Sequence, residues 1–327
     1  MKVYIVGAGA VGTYLGDALQ SVNLQVVYAP RDLDAVQPFD ADLAIVAVKA
    51  YDTEGAVTTL RKAIAYPEKC VFMTPQNGVG NEERLADAFG ADNTVAAALT
   101  TPVDRSLALD GRGKAAAREG GLALAPLGKN AYNWLVATFA SAGLKTNTVS
   151  DWRTLKWSKL ALNVVANASC AILNVLPNRL VHFDEIFTLE IRAIREVRAV
   201  MSAMGLTPID LPRYPVRALQ AIATLPSPIA RRLLTGRVAG ARGTKPPSLL
   251  LDLRAGKAQT EVDFLNGSVA SAAREHGIPA PVNSVYARVL DDIAHMPQLW
   301  AKYRERPDTL AAEVDAEVKR VKALSRG

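Results

Sequence analysis

Hydrophobic and polar positions follow two periodicities along the first half of the chain. Short apolar runs, typical of strands buried in a parallel sheet, alternate with stretches whose apolar residues recur at helical spacing. They predict strands over residues 2–6, 25–28, 43–48, 70–74, 94–99, 121–125 and 145–149, and helices over 10–21, 53–65, 82–89 and 130–142. This alternation predicts an α/β fold with an N-terminal Rossmann-type doubly wound sheet over residues 1–150.

The second half of the chain has helical spacing almost throughout. From Trp152, apolar residues recur at helical intervals up to about Val175, and Pro177 marks the end of this predicted helix. We therefore predict an all-helical C-terminal domain over residues 151–327, with the domain boundary near Ser150.

A glycine-rich turn follows the first predicted strand. Gly7, Gly9 and Gly12 have G-x-G-x-x-G spacing, which is typical of dinucleotide-binding folds. In such turns the first glycine permits the tight turn, the second lets a pyrophosphate approach the backbone, and the third lets the helix pack on its strand. The spacing also occurs in turns without a ligand, but the strand before it and the helix after it favour a cofactor. The predicted cofactor loop comprises Gly7, Ala8, Gly9, Ala10, Val11 and Gly12.

The end of the second predicted strand bears on the choice of cofactor. An Asp or Glu there usually binds a ribose hydroxyl, whereas an Arg usually binds a 2′-phosphate. The sequence is YAPRD, so Arg31 favours NADPH, while Asp32, which could bind a ribose or pair with Arg31, leaves NADH open. Only eleven residues separate Arg31 from Leu43. Because a crossover helix usually needs about a dozen residues or more, we expect a loop here.

Composition narrows the classes of partner. The net charge of +6 and the pI near 9.3 come from basic residues dispersed among acids, which favours an anionic cofactor and a small anionic substrate over nucleic acid. Two cysteines and three histidines give neither a disulfide framework nor zinc-ligand spacing, so we expect no metal and two core cysteines. No apolar run is long enough to span a bilayer and no signal segment is evident, so we expect a cytoplasmic protein that does not bind membranes.

Polar residues recur on the first predicted helix of the second half. Lys159, Asn163 and Asn167 are spaced every four residues, so a continuous helix would place them on one face. They form either a solvated stripe or a row that presents an ammonium and two amides to a polar ligand in a cleft. Further along the chain, Ser248 and Glu261 flank a segment that is expected to be helical on both sides of a break at Gly256.

Six segments, in this order, resemble the ketopantoate reductase (2-dehydropantoate 2-reductase) family. They are GAGAVGTYLG, VKAYDT, QNGVGNEERL, WSKLALNVVAN, LPNRL and SLLLDLRAGKAQTEVDFLNG. The resemblance implies a Rossmann domain and a helical substrate domain. It also implies NADPH-dependent reduction of the ketone of 2-dehydropantoate to pantoate, a step of pantothenate and coenzyme A biosynthesis.

The resemblance also assigns roles to single residues. Lys159 matches the catalytic lysine of the family, and Glu261 matches the glutamate that contacts the substrate. Hydride delivery leaves charge on the carbonyl oxygen, which an ammonium can stabilise and protonate. The substrate-binding residues implied are Asn163, Asn167, Asn178 and Ser248, and the further cofactor-binding residues are Lys49 and Asn77.

The chain departs from the family pattern at two segments. Residues 100–121 lack the TTHGA-like sequence of the family, and we expect a mobile loop over the active site. Residues 208–247 are rich in Pro and Arg, which favours a solvated insertion, with a reshaped substrate pocket or a dimer contact as alternatives.

These departures leave three functions open besides ketopantoate reduction. They are reduction of another 2-oxo acid, reduction of an opine-type imine, and non-catalytic regulation by NADP(H) binding. The last helical segment, Thr309 to Leu324, has mixed charge, so it could cap the domain or form a homodimer contact.

Overall fold

A computed structural model describes residues 1–104, 110–115, 120–130, 132–242 and 245–324, with the backbone alone for 236–242 and 324. The chain divides into two compact units. The first comprises Met1–Lys159 and Ile209–Tyr214, and the second comprises Leu160–Pro208 and Pro215–Gly327. Residues 151–159 thus group with the sheet, whereas the sequence-based domain boundary was drawn at residue 150; that boundary stays a prediction.

The first unit contains a sheet of seven strands in the order β2-β1-β3-β4-β5-β8-β9. All neighbouring pairs are parallel except β5 and β8, which are antiparallel. The strands of this sheet and of a separate small hairpin, β6 with β7, are β1 (Lys2–Val6), β2 (Gln25–Tyr28), β3 (Leu43–Val46), β4 (Val71–Thr74), β5 (Thr94–Leu99), β6 (Val103–Asp104), β7 (Lys114–Ala115), β8 (Leu122–Pro126) and β9 (Thr146–Thr148).

Helices cover both faces of this sheet. The helices in the first part of the chain are α1 (Ala10–Gln20), α2 (Thr53–Ala63), α3 (Asn81–Phe89), α4 (Asn133–Ser141) and α5 (Trp152–Asn163). Leu15 and Phe139, from α1 and α4, belong to one buried apolar cluster. Leu60 and Leu85, from α2 and α3, belong to a second cluster with the alternate residues of the same strands. The predicted doubly wound sheet is therefore confirmed, and the alternation of side chains along a strand explains why β1, β3 and β4 each contribute buried residues to both clusters.

The connection from β2 to β3 has no helix. It contains only the 3₁₀ turn Leu33–Ala35 and a single bridge between Phe39 and Ile64. The expected loop is thus present, although β3 lies on the other side of β1 from β2. The sheet order reverses between β1 and β3, which is the position where open α/β sheets bind ligands.

The described part of the second unit is helical. Its helices are α6 (Ala168–Leu173), α7 (Pro177–Leu180), α8 (Asp184–Ala203), α9 (Val216–Thr224), α10 (Ser227–Arg242), α11 (Ser248–Arg254), α12 (Asn266–Glu275), α13 (Pro281–His295), α14 (Trp300–Tyr303) and α15 (Pro307–Leu324). Helix α8 has 20 residues and packs against α9, α12, α13 and α15, so it forms the centre of this unit. Among the described residues, no helix combines the length and apolarity that crossing a membrane requires.

One helix prediction was wrong. The apolar spacing predicts a single helix from Trp152 to about Val175, but α5 ends at Asn163 and α6 begins at Ala168. Ala166, in the break, has a φ of 48°, which a continuous right-handed helix does not allow. The Ala166 N–H donates to the buried carboxylate of Glu190, a partner that the local pattern does not reveal.

Candidate functional site

The glycine loop after β1 is built as its spacing predicts. Gly7 has a φ of 109°, and a Cβ on it would lie 2.6 Å from the carbonyl carbon of Ala47. A Cβ on Gly12 would lie 1.9 Å from the carbonyl oxygen of Gly7. The turn and the close approach of α1 therefore both require glycine.

Gly9 differs from its two neighbours in the motif. Its φ of −79° suits any residue, and a Cβ on it would meet no atom within 4 Å. Gly9 is the N-cap of α1, and no side chain caps this helix end. The N-terminus of a helix presents backbone N–H groups and a positive dipole end to an anion. Residues Gly7 to Gly12 thus fit the pyrophosphate of a dinucleotide. Packing does not require glycine at position 9, and the space beside its Cα is open.

Arg31 lies in the loop that follows β2 and is exposed. Asp32, the alternative ribose ligand, accepts a hydrogen bond from the Asp34 N–H at 3.0 Å and so caps the turn Leu33–Ala35. In the part of the chain that the structure describes, no ion pair joins Arg31 to Asp32.

A buried hydrogen-bond network joins the ends of β3 and β4. The side-chain amide of Gln76 donates to the carbonyl of Val48 and to Thr53 Oγ1, at 3.0 Å each. Thr53 Oγ1 in turn donates to the side-chain oxygen of Asn81 at 2.9 Å. The network holds the two loops that carry Lys49 and Asn77, both half-buried, at the same edge of the sheet. These two predicted cofactor contacts therefore lie beyond neighbouring parallel strands, at the edge that also carries the glycine loop.

Lys156 is a buried residue that sequence reasoning missed. Its ammonium lies 2.8 Å from a carboxylate oxygen of Glu82, and the side chains are 1% and 0% exposed. The helical spacing indicates that Lys156 is buried, since it is one helical turn from Trp152 and from Leu160, which are both buried. A lysine at such spacing requires a partner inside the protein.

Lys159 lies one turn beyond Lys156 in the same helix and is half-buried. Its ammonium is 6.0 Å from the centre of the Tyr214 ring. Next to it in the helix, Ser158 Oγ accepts a hydrogen bond from the Ile209 N–H at 3.1 Å. The segment Ile209–Tyr214, which belongs to the first unit, therefore lies beside the predicted proton donor.

Residues 208–247, for which a solvated insertion is expected, expose Arg213, Arg217 and Arg232 in their described part. Besides Ile209–Tyr214, this stretch forms α9 and α10, which pack on each other and on α8. The side chains of Arg237 and Arg242 lie outside the described residues.

The predicted loop over residues 100–121 is described only in part, because residues 105–109 and 116–119 lie outside the described residues. The described part packs on α1. The Gly113 N–H donates to Thr13 Oγ1 at 2.7 Å, and a Cβ on Gly113 would lie 1.9 Å from the carbonyl oxygen of Ala10. Arg112 pairs with Asp17 of the same helix.

The predicted site residues of the second unit differ in their burial and in their contacts. Asn167 is the N-cap of α6, and its side-chain oxygen accepts a hydrogen bond from the Leu249 N–H at 3.4 Å, which places it beside Ser248. Asn167 is thus not one turn beyond Asn163 in a continuous helix, which corrects the predicted row of three. Glu261 is buried, at 3% exposure, whereas Asn178 is exposed on α7.

A groove of about 1480 Å³ lies among α8, α12, α13 and α15 in the second unit. Arg192, Arg274 and Arg288 line it together with Asp263 and Glu317. None of the predicted substrate residues lines this groove.

Comparison with known proteins identifies the family. Residues 25–116 match the ketopantoate reductase PanE/ApbA family, and residues 151–294 match the ketopantoate reductase PanE/ApbA C-terminal family. A 2-dehydropantoate 2-reductase of Pyrobaculum aerophilum is 30% identical over 244 residues, which cover 75% of this chain and 74% of that protein.

The chain belongs to the ketopantoate reductase family.

Other members of this family match over more of the chain. The 2-dehydropantoate 2-reductase of Archaeoglobus fulgidus is 28% identical over 86% of this chain and 94% of its own length. A crystal structure of a PanE/ApbA family ketopantoate reductase from Ralstonia eutropha JMP134 superposes with a TM-score of 0.73 at 26% identity, covering 91% of this chain and all of that one. The chain is accordingly an enzyme, an oxidoreductase with a Rossmann-type sheet and a helical C-terminal part. These names speak against the alternative of a non-catalytic regulator.

Proposed function

We propose that this ketopantoate reductase family member reduces the ketone of 2-dehydropantoate to pantoate with NADPH and uses Lys159 as the proton donor. When bound, NADPH supplies the hydride that adds to the carbonyl carbon. The carbonyl oxygen then takes a proton, so that one ketone becomes one secondary alcohol. The relatives named 2-dehydropantoate 2-reductase support the substrate class, a small anionic 2-oxo acid.

The observation that carries this proposal is the open space at Gly9. Packing requires glycine at positions 7 and 12 but not at position 9, where a Cβ would meet no atom within 4 Å. A phosphate that approaches the backbone explains that glycine, because it needs the space a side chain would fill. In the proposal, the Gly7–Gly12 loop binds the pyrophosphate, and Lys49 and Asn77 bind the same cofactor from the ends of the neighbouring strands.

The preference for NADPH over NADH rests on Arg31. A guanidinium offers a planar, bidentate donor group that matches a phosphate, and Arg31 is exposed after the strand whose end usually contacts the adenosine ribose. Asp32 is engaged in capping the following turn. This arrangement favours the 2′-phosphate of NADPH.

In the proposed reaction Lys159 donates its proton to the ketone oxygen. A positioned ammonium both stabilises the negative charge that develops on that oxygen and protonates it. Glu261 orients Lys159 or accepts a proton from a substrate hydroxyl. Asn163, Asn167, Asn178 and Ser248 bind the carboxylate and hydroxyl oxygens of the substrate without adding charge.

The test is NADPH consumption by the purified protein. We expect turnover with ketopantoate that exceeds turnover with a panel of other 2-oxo acids, each offered with and without amino acids, and faster turnover with NADPH than with NADH. Higher activity with another 2-oxo acid would identify that acid, in place of ketopantoate, as the substrate. Activity that depends on an added amino acid would identify an imine reductase instead.

A further inference from the structure

The ion pair between Lys156 and Glu82 is closed off from solvent. The two charged groups are 2.8 Å apart and at most 1% exposed. Glu82 is in the first turn of α3, where the helix dipole favours a carboxylate. Removing two charges from water nevertheless opposes folding, and a well-packed apolar pair of similar volume is often as stable or more so. Stability alone therefore does not explain this pair.

The ammonium of Lys156 makes two further contacts, both with main-chain oxygens. It donates to the carbonyl of Gln76 at 2.5 Å and to that of Ala97 at 3.5 Å. The ammonium therefore has one carboxylate and two main-chain carbonyls as its polar neighbours. Ala97 belongs to β5, and Gln76 follows β4, the strand next to β5. Lys156 therefore connects the interior of β5 to the loop that follows β4.

The contact with Gln76 determines the direction of a peptide unit. In a planar trans peptide the carbonyl of one residue and the N–H of the next point in opposite directions. Because Lys156 holds the Gln76 carbonyl towards the buried ion pair, the N–H of Asn77 is directed away from it. Asn77 is also the residue at which we predict contact with the cofactor.

We propose that Lys156 and Glu82 are a positioning pair for the dinucleotide: they hold the Gln76–Asn77 peptide in the orientation in which the loop after β4 receives the cofactor. This inference rests on the proposed binding of NADPH. Neither residue touches the cofactor in this proposal. Both act through the loop, whose other side is held by the bonds from Gln76 to Val48 and Thr53.

A double variant and a single variant separate positioning from stability. In K156M/E82L an apolar pair replaces the charges, and we expect an unfolding temperature at or above that of the wild type but a dissociation constant for NADPH raised at least about 10-fold. In E82Q, Lys156 is retained and can still donate to the Gln76 carbonyl. We expect its dissociation constant to lie within about 3-fold of the wild-type value. Both constants are measured by equilibrium binding, without substrate.

The matched control is the exposed ion pair between Arg84 and Glu54, in which Arg84 is on the same helix as Glu82. The R84M/E54L variant should bind NADPH as the wild type does. If K156M/E82L does not fold, K156M/E82Q takes its place with the same expected loss. A folded apolar variant that binds NADPH as tightly as the wild type would overturn the positioning role. Wild-type protein that binds no dinucleotide would instead overturn the proposed function.

Discussion

Gly12 lies so close to Gly7 that a Cβ on Gly12 would stand 1.9 Å from the Gly7 carbonyl oxygen. Because this neighbour is backbone, it cannot move aside as a flexible side chain can. The contact fixes how closely the first helix packs on the glycine loop. Gly9, between the two, makes no such contact, and this difference leads to a matched pair of variants.

We expect Gly12→Ala to lower the free energy of unfolding by about 2–4 kcal/mol through overpacking, and to abolish dinucleotide binding. Gly9→Ala should change that free energy by less than about 1 kcal/mol, since the Cβ meets open space, but should weaken NADPH binding at least about 10-fold. Chemical denaturation and equilibrium binding measure the two effects. Unchanged NADPH affinity in Gly9→Ala would contradict the proposed phosphate position.

Lys159→Ala should lower kcat at least about 100-fold, as expected for the loss of a general acid, and should leave NADPH affinity nearly unchanged. The measurement is steady-state kinetics with saturating NADPH, together with a binding titration. Lys145→Ala removes an exposed lysine of the same unit and serves as the control. Wild-type kcat in the Lys159 variant would remove this residue from the mechanism.

Arg31→Ala should weaken binding of NADPH at least about 10-fold and leave binding of NADH nearly unchanged, because only NADPH carries the 2′-phosphate that a charge-assisted contact would recognise. The measurement is the dissociation constant of each cofactor for the wild type and the variant. Arg61→Ala, an exposed arginine on α2, controls for the general loss of positive charge. Equal weakening of both cofactors would mean that another residue recognises the 2′-phosphate.

Glu313 should make unfolding depend on pH in the acid range. Hydrogen bonds from Lys302 and Arg288 lower its pKa from 4.5 to about 2. Since the pKa in the folded state is the lower one, the stabilisation is present above pH 4.5 and is lost as the pH falls through about 2.

We expect Glu313→Gln to lower the free energy of unfolding at neutral pH by about 1 kcal/mol, a value reduced for the exposure of its partners. The deficit should vanish near pH 2, as thermal unfolding over a pH series would show. The control is Glu305→Gln, which breaks a pair in which both partners are about half exposed. A deficit that does not change with pH would show that packing, not charge, stabilises Glu313.

The two cysteines should be inert in the folded protein. Burial raises the pKa of the Cys70 thiol to about 12, and Cys170 is also fully buried. A thiol-specific reagent at pH 8 should therefore modify neither until denaturant is added, because the thiolate is the reactive form. The S271C variant, with a thiol at an exposed position of α12, would verify that the reagent is active. Rapid modification of the native wild-type protein would contradict the burial of both thiols.

Local features of this chain could be predicted from the sequence. The bounds of β1, β2 and β5 coincide with the predicted ones, because each of these strands is a short run of mostly apolar residues. The glycine spacing predicted a turn at Gly7 and close packing at Gly12, since each requirement arises within a few residues. The six motifs of the resemblance led to the correct family for the same reason, because each is contiguous in the chain.

Features that depend on contacts between residues far apart in the sequence could not be predicted. The helix break after Asn163 involves Glu190, and the burial of Lys156 depends on Glu82, which precedes it by more than seventy residues. The packing of Tyr214 beside Lys159 likewise joins segments that no local pattern connects.

The sequence by itself therefore determined the strands of the sheet, the glycine loop and the family, because apolar periodicity and the steric freedom of glycine act over a few residues. Only the tertiary structure decided which charges are buried together and where the second helical run is interrupted. Ion pairs and backbone hydrogen bonds form between groups that the fold brings close together, and the spacing of residues along the chain does not indicate that proximity.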